Sequence, residues 1–162
     1  MKYGISINAM LMFLVLGLVT LAVPPQIARA ATFTVDDDNP ADYATIQGAI
    51  NAAGSGDVIT VYPGTYNENL TISDKEITLQ SADPNDPTAA IINGGGTGRA
   101  VTFKHAGASV LEGFTITGGT DSGVYITSSS PTIMRCIFTS NTGSGGYGGG
   151  LYSQDSSPTI VN

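Results

Sequence analysis

Basic residues are scarce in this sequence. Lys and Arg number 6 against 13 Asp and Glu, and charged residues make only 12% of the 162. Lys2 and Arg29 fall in the first thirty residues; Lys75, Arg99, Lys104 and Arg135 are scattered along the rest. A phosphate-binding surface needs clustered Lys and Arg, so nucleic acid is excluded as a partner. Cysteine is nearly absent. Cys136 stands alone, which excludes any disulfide within the chain. Helical periodicity is missing after residue 53, and there is one long hydrophobic run.

That run defines the beginning of the chain. Lys2 gives a short positive start, residues 5–23 are almost continuously apolar, and Pro24-Pro25 ends the stretch. Ala28-Arg29-Ala30 puts small residues at the two positions a signal peptidase reads. Residues 1–30 therefore read as a secretory signal peptide with cleavage after Ala30. An uncleaved membrane anchor is the alternative, but the apolar core is short for a span. Cleavage leaves 4 basic and 13 acidic residues, a net charge of −9, and no membrane span. The expected location is secreted, extracellular or at the cell surface, and a negative surface suits solubility there.

What the sequence has in quantity is Gly, Ser, Thr and Asn, with Ile, Val and Tyr among the apolar residues. These favour many short strands and turns. Residues 31–56 read as a first strand, Thr32-Phe33-Thr34-Val35, followed by a capping helix. Thr45 is the expected N-cap, and Ile46, Ala49, Ile50 and Ala53 share one helical face. Residues 57–162 then read as strands of three to five residues separated by Gly, Ser and Asn.

The apolar positions of these strands repeat. Leu111, Phe114 and Ile116 have the spacing of Ile133, Cys136 and Phe138, 22 residues later. Val101 and Phe103 become Val124 and Ile126 after 23 residues, and Val124 and Ile133 become Leu151 and Ile160 after 27. The insertion in the last interval fits the Gly-rich residues 144–149. A period of 22 to 24 residues, three short strands per turn and tolerant loops is the sequence form of a parallel β-helix. Leucine-rich repeats have periods near this, but their Leu-x-Leu strand is absent. Cys136 falls in the Phe114 file and is expected to face inward. The +3 spacing puts the next inward residue at position 163, so the chain is expected to be the first part of a longer solenoid.

The stretch TIQGAINAAGSGDVITVYPGTYNENLTI at 45–72, with KEITLQSAD after it and VDDDNPADYATIQ leading into it, resembles secreted right-handed parallel β-helix proteins of the pectin-lyase-like class. The two SSPTI units at 129–133 and 156–160 are similar to short repeats of the same class. The resemblance implies a capping helix, a first rung at 58–61, a Pro63-Gly64-Thr65-Tyr66 turn and an Asn67-Glu68-Asn69 step into the next rung. It spans nearly all of 31–162 and specifies fold more than function, because this fold hosts lyases, hydrolases, esterases and adhesins.

Each enzyme of the class implies a residue set. The chain resembles pectin methylesterases up to about Leu79; these use two carboxylates and glutamines on the parallel sheet with an Arg nearby. At the matching rungs here the outward positions are Thr102 and Tyr125. Pectate lyases imply calcium and converging Asp side chains. The one Asp cluster is Asp36-Asp37-Asp38, which reads either as a calcium site held by Asp36 and Asp38 or as a solvated loop. Polygalacturonases imply a carboxylate pair, and Glu112, Asp121 and Asp155 lie on different coil edges. His105 reads as a lone surface His without an orienting carboxylate. Asn93-Gly94-Gly95-Gly96-Thr97-Gly98-Arg99 lacks a phosphate-loop ending and reads as a turn.

The expected function is an exported, non-catalytic module that binds polysaccharide or a cell-surface component. The residues expected to carry it are Tyr125, Tyr152, Tyr147 and Thr102, with no catalytic set and no cofactor beyond the calcium reading. Outward Tyr125 and Tyr152, one coil apart, would either stack on sugar rings or stabilise the strand ladder. The alternative is a polysaccharide lyase, hydrolase or esterase whose catalytic rungs lie outside this chain.

Overall fold

A computed structural model describes residues 29–146 and 148–162. The signal peptide expected over 1–30 lies outside the described residues except for its last two. The chain opens with β1 (Thr32–Val35) and a seven-residue helix α1 (Ile46–Ala52). Thr45 is the N-cap, its hydroxyl accepting the Gly48 N–H at 3.2 Å. Ile46, Ala49 and Ile50 are buried, as their spacing requires.

Then the chain coils. The first turn is β2 (Val58–Val61), β3 (Gly64–Tyr66) and β4 (Leu70–Ser73). The second is β5 (Thr78–Ser81), β6 (Ala90–Asn93) and β7 (Arg99–Gly107). The third is β8 (Val110–Glu112), β9 (Thr115–Thr117) and β10 (Ser122–Ser129). The fourth is β11 (Thr132–Met134), β12 (Ile137–Phe138) and β13 (Leu151–Gln154), and β14 (Thr159–Val161) begins another. All pairings in the three sheets are parallel. Their strand orders are β1-β2-β5-β8-β11-β14, β3-β6-β9-β12 and β4-β7-β10-β13.

The register stacks like on like. Phe33, Ile59, Leu79, Leu111, Ile133 and Ile160 form one inward file. Tyr66, Ile92, Ile116 and Phe138 form a second, and Leu70, Val101, Val124 and Leu151 a third. Each fully buried Leu, Ile or Phe removes enough apolar surface to contribute about 1.5–3 kcal/mol. Cys136 is buried in the Phe114 file, and burial pushes its thiol pKa up. The expected files hold, with weaker closure at the last rung: Ile160 is 53% exposed because no later strand among the described residues covers it.

Helix α1 is tied to the coils at both ends. The Glu68 carboxylate accepts the Ile46 and Gln47 N–H groups at 2.8 and 2.9 Å, where the helix has no partners of its own. The Lys75 ammonium donates to the Ile50 and Ala53 carbonyls at 2.8 and 2.7 Å. This closure positions β4, the edge of the sheet on which the candidate site lies.

Candidate functional site

The face of the β4-β7-β10-β13 sheet carries two outward files. One is Thr71, Thr102, Tyr125 and Tyr152; the other is Ser73, Lys104, Thr127 and Gln154. Alternation in a strand forces this arrangement, since the residues between them fill the core. Thr102, Tyr125 and Tyr152 therefore stand where the sequence placed them, in one line. Tyr147 lies outside the described residues.

The tyrosines are stacked. The rings of Tyr125 and Tyr152 are 5.8 Å apart and inclined by 11°. The Arg99 guanidinium lies over the Tyr125 ring, 3.6 Å from its centre. Arg99 comes from β7 and Tyr152 from β13, which flank β10 on opposite sides. The faces of Tyr125 thus meet protein groups, and its hydroxyl donates to Gln154 Oε1 at 3.3 Å. Tyr125 lies between Arg99 and Tyr152 in the stack. A guanidinium on an aromatic face gains cation–π energy and has fewer rotamers left to lose on binding a ligand.

Beside this stack is an open depression of about 340 Å³ lined by Asn69, Thr71, Thr97, Arg99, Thr102 and Asp121. Asn69 shapes it by donating through Nδ2 to the carbonyls of Gly94, Thr97 and Arg99, at 3.2, 2.8 and 2.8 Å. The Asn93–Arg99 stretch is a turn, as expected, with Gly95, Gly96 and Gly98 at positive φ. On the far wall the Ser144 hydroxyl donates to Asp121. One cation, one carboxylate and several hydroxyl and amide groups in a shallow cleft suit a polar, ring-bearing ligand.

The other sequence-derived candidates are dispersed. Glu112 pairs with Arg135 on the β8-β11 sheet, away from Asp121 and Asp155. The Asp36 carboxylate accepts the N–H groups of Asp38 and Asn39, both at 3.0 Å, and the Asn39 amide at 3.3 and 3.2 Å. The Asp38 N–H bond leads in holding its pKa below the usual value. Among the described residues, no three His, Cys, Asp or Glu side chains are grouped to hold a metal ion. His105 differs from expectation: its Nδ1 lies 3.3 Å from Asp74 Oδ1, so the orienting carboxylate thought to be missing is present. Arg99 and Asp74 were both missed as site residues. Aligning the ends of consecutive rungs would have exposed Asp74 beside His105, but the 81–88 loop offsets the second coil.

The comparisons with known proteins bear on the fold. No curated protein matches the chain. Pectin methylesterase PemA from Erwinia chrysanthemi is similar in structure, with a TM-score of 0.56 and 18% sequence identity over 77% of this chain. The chain spans 45% of that structure's length, and at this identity the likeness is one of architecture. Residues 36–162 match the family described as Right handed beta helix region. With most of its length matched, and with three parallel sheets coiled around stacked inward files, the chain belongs to the right-handed β-helix family.

Proposed function

We propose that this chain is an exported module that binds an acidic extracellular polysaccharide along the β4-β7-β10-β13 face. The observation that carries this reading is the Arg99 guanidinium stacked on Tyr125 at the wall of the polar depression. Arg99 and exposed Lys104 sit on the same strand, β7, and are two of the four basic residues after residue 30. In a chain of net charge −7, two cations on one strand of this face are suited to local recognition of carboxylates. Thr71 and Thr102 add hydroxyl donors along the same line. Export rests on the leader reading of residues 1–30, and a calcium ion at Asp36 and Asp38 would serve the cap rather than this face.

A second reading draws on the likeness to pectin methylesterase PemA, of which this chain spans 45%. It makes the chain part of a polysaccharide-active enzyme whose reacting rungs lie elsewhere. Calorimetry of the purified chain with polygalacturonate and with a neutral glucan tests the first reading. Binding to the uronate polymer alone, weakened at high salt and at least ~10-fold by Arg99→Ala, is expected for an ionic contact. Equal affinity for both polymers, or none for either, overturns it. Release of methanol or unsaturated uronates by the chain itself would put reacting groups on it, against both readings.

A further inference from the structure

Near the end of each strand of this same sheet, or just after it, one non-glycine residue lies in the left-handed region. These are Asp74 at φ 56°, His105 at 48°, Ser128 at 49° and Asp155 at 50°. Their preceding residues Ser73, Lys104, Thr127 and Gln154 are register partners, so the four lie in one file along the solenoid. Left-handed backbone normally selects glycine. The comparable turns of the other two sheets use it in part, with Gly113 beside Arg135 and Gly118 beside Ser140. In this file every rung instead keeps a polar side chain. Strain retained at a chemically competent position is an observation from which a function can be inferred.

The order of the side chains is the second observation. Asp74 Oδ1 is 3.3 Å from His105 Nδ1, and the Ser73 hydroxyl donates to the other carboxylate oxygen. The carboxylate is therefore oriented on one side and holds the imidazole through Nδ1 on the other. The next rung presents the exposed Ser128 hydroxyl. The register shifts between Thr127 and Ser129, so β7 carries an extra residue there, and His105 and Ala106 together face Ser128. Such bulges re-aim side chains.

We propose that Asp74, His105 and Ser128 form an acyl-transfer site that hydrolyses small, unhindered carboxylic esters. Ser128 Oγ attacks the ester carbonyl while His105 Nε2 takes its proton. The carbon–alkoxy bond breaks, and the same proton passes to the departing alcohol. Water then attacks the acyl-serine, its proton moving through His105 back to Ser128 Oγ as the acid leaves. Asp74 is a positioning residue: it holds the neutral ring with its proton on Nδ1 and stabilises the imidazolium that forms. The His105 and Asp74 side chains are 54% and 71% exposed, which suits a short acyl group and offers no slot for a long one. This activity goes beyond the binding reading and does not depend on it.

The test treats the purified chain with a fluorophosphonate probe and with 4-nitrophenyl acetate, locating the adduct by peptide mass spectrometry. The expected result is phosphonylation of Ser128, abolished in Ser128→Gly, a variant suited to the left-handed backbone. His105→Gln should slow labelling at least ~10-fold, within the range of general-base catalysis. Asp74→Asn should slow it less and displace its pH profile, which a merely structural carboxylate would not do. Circular dichroism melts of the variants keep unfolding apart from loss of chemistry. Adducts confined to Lys104 or His105, or ester hydrolysis equally fast in Ser128→Gly, overturn the proposal.

Discussion

The Gln47 side chain stands in for a missing strand. Its Oε1 accepts the Thr71 N–H at 2.8 Å and its Nε2 donates to the Thr71 carbonyl at 3.2 Å. Thr71 lies on β4, the edge of the sheet that carries the candidate site. An exposed edge is a template for pairing with other chains, and one amide here supplies both a donor and an acceptor. Gln47→Leu is expected to cost about 1–3 kcal/mol, the worth of two hydrogen bonds. Urea denaturation measures the loss, and light scattering should show faster aggregation. An unchanged midpoint would remove Gln47 from this role.

Glu68 performs the corresponding task for helix α1. Its carboxylate takes two backbone N–H groups at the first turn, so Glu68→Ala should destabilise by about 1.5–3 kcal/mol for hydrogen bonds to a charged group. Hydrogen exchange over residues 46–52 should rise more than exchange over β10. A uniform rise across the chain would mean that the helix does not loosen as a local unit.

The inward files set a gradient of sensitivity. Leu111 and Ile160 belong to one file, but Leu111 is 0% exposed and Ile160 53% exposed. Leu111→Ala should cost about 2–5 kcal/mol, as large-to-small core changes do. Ile160→Ala should cost under about 1 kcal/mol, because most of its surface already meets water. Paired melts check the contrast, and equal losses would contradict the stacking register of this file.

Stability should fall at both ends of the pH scale. Asp42 and Asp57 have pKa values held below 3.8, first by backbone N–H bonds from Thr34 and Ala31 respectively. Their contribution is present above the unfolded value and is lost as pH falls through the folded one, so the melting temperature should drop below about pH 4. Tyr66 moves the other way. Burial, then Asp37 and Asp36, raise it from 10.0 to about 12. Its contribution is complete below pH 10 and is lost as pH rises from 10 through about 12. Tyr66→Phe should flatten that alkaline limb, which a thermal scan across the range detects.

The repeating parts of this architecture were legible in the sequence because solenoid packing forces periodicity. Leu111 and Ile133 must stack, so they recur at a fixed interval. Thr45 announced the helix because a cap needs a particular side chain at one position. The site residues obey no such constraint. Arg99 and Tyr125 sit at different points of successive rungs and meet through side-chain reach, not through repeat position. Asp74 and His105 do share a repeat position but are separated by 31 residues, because the 81–88 loop lengthens their coil. The ring orientation of Tyr125 was likewise hidden, since an outward position does not say which way a ring face turns.

That orientation separates two roles for Tyr125 in ligand binding. If its face carried a sugar ring, Tyr125→Phe and Tyr125→Leu would differ by the stacking energy whatever residue stood at position 99. If it holds the guanidinium, Tyr125→Phe should keep polygalacturonate affinity, because a phenyl face still accepts the cation. Tyr125→Leu should weaken binding by about 2- to 10-fold, the equivalent of about 0.5–1.4 kcal/mol for a lost exposed cation–π contact. The decisive comparison is in the Arg99→Ala background. There Tyr125→Leu should have no further effect, because the group it supports is gone. Calorimetric titration of the four variants closes the cycle, and additive losses would assign Tyr125 a direct contact with the ligand.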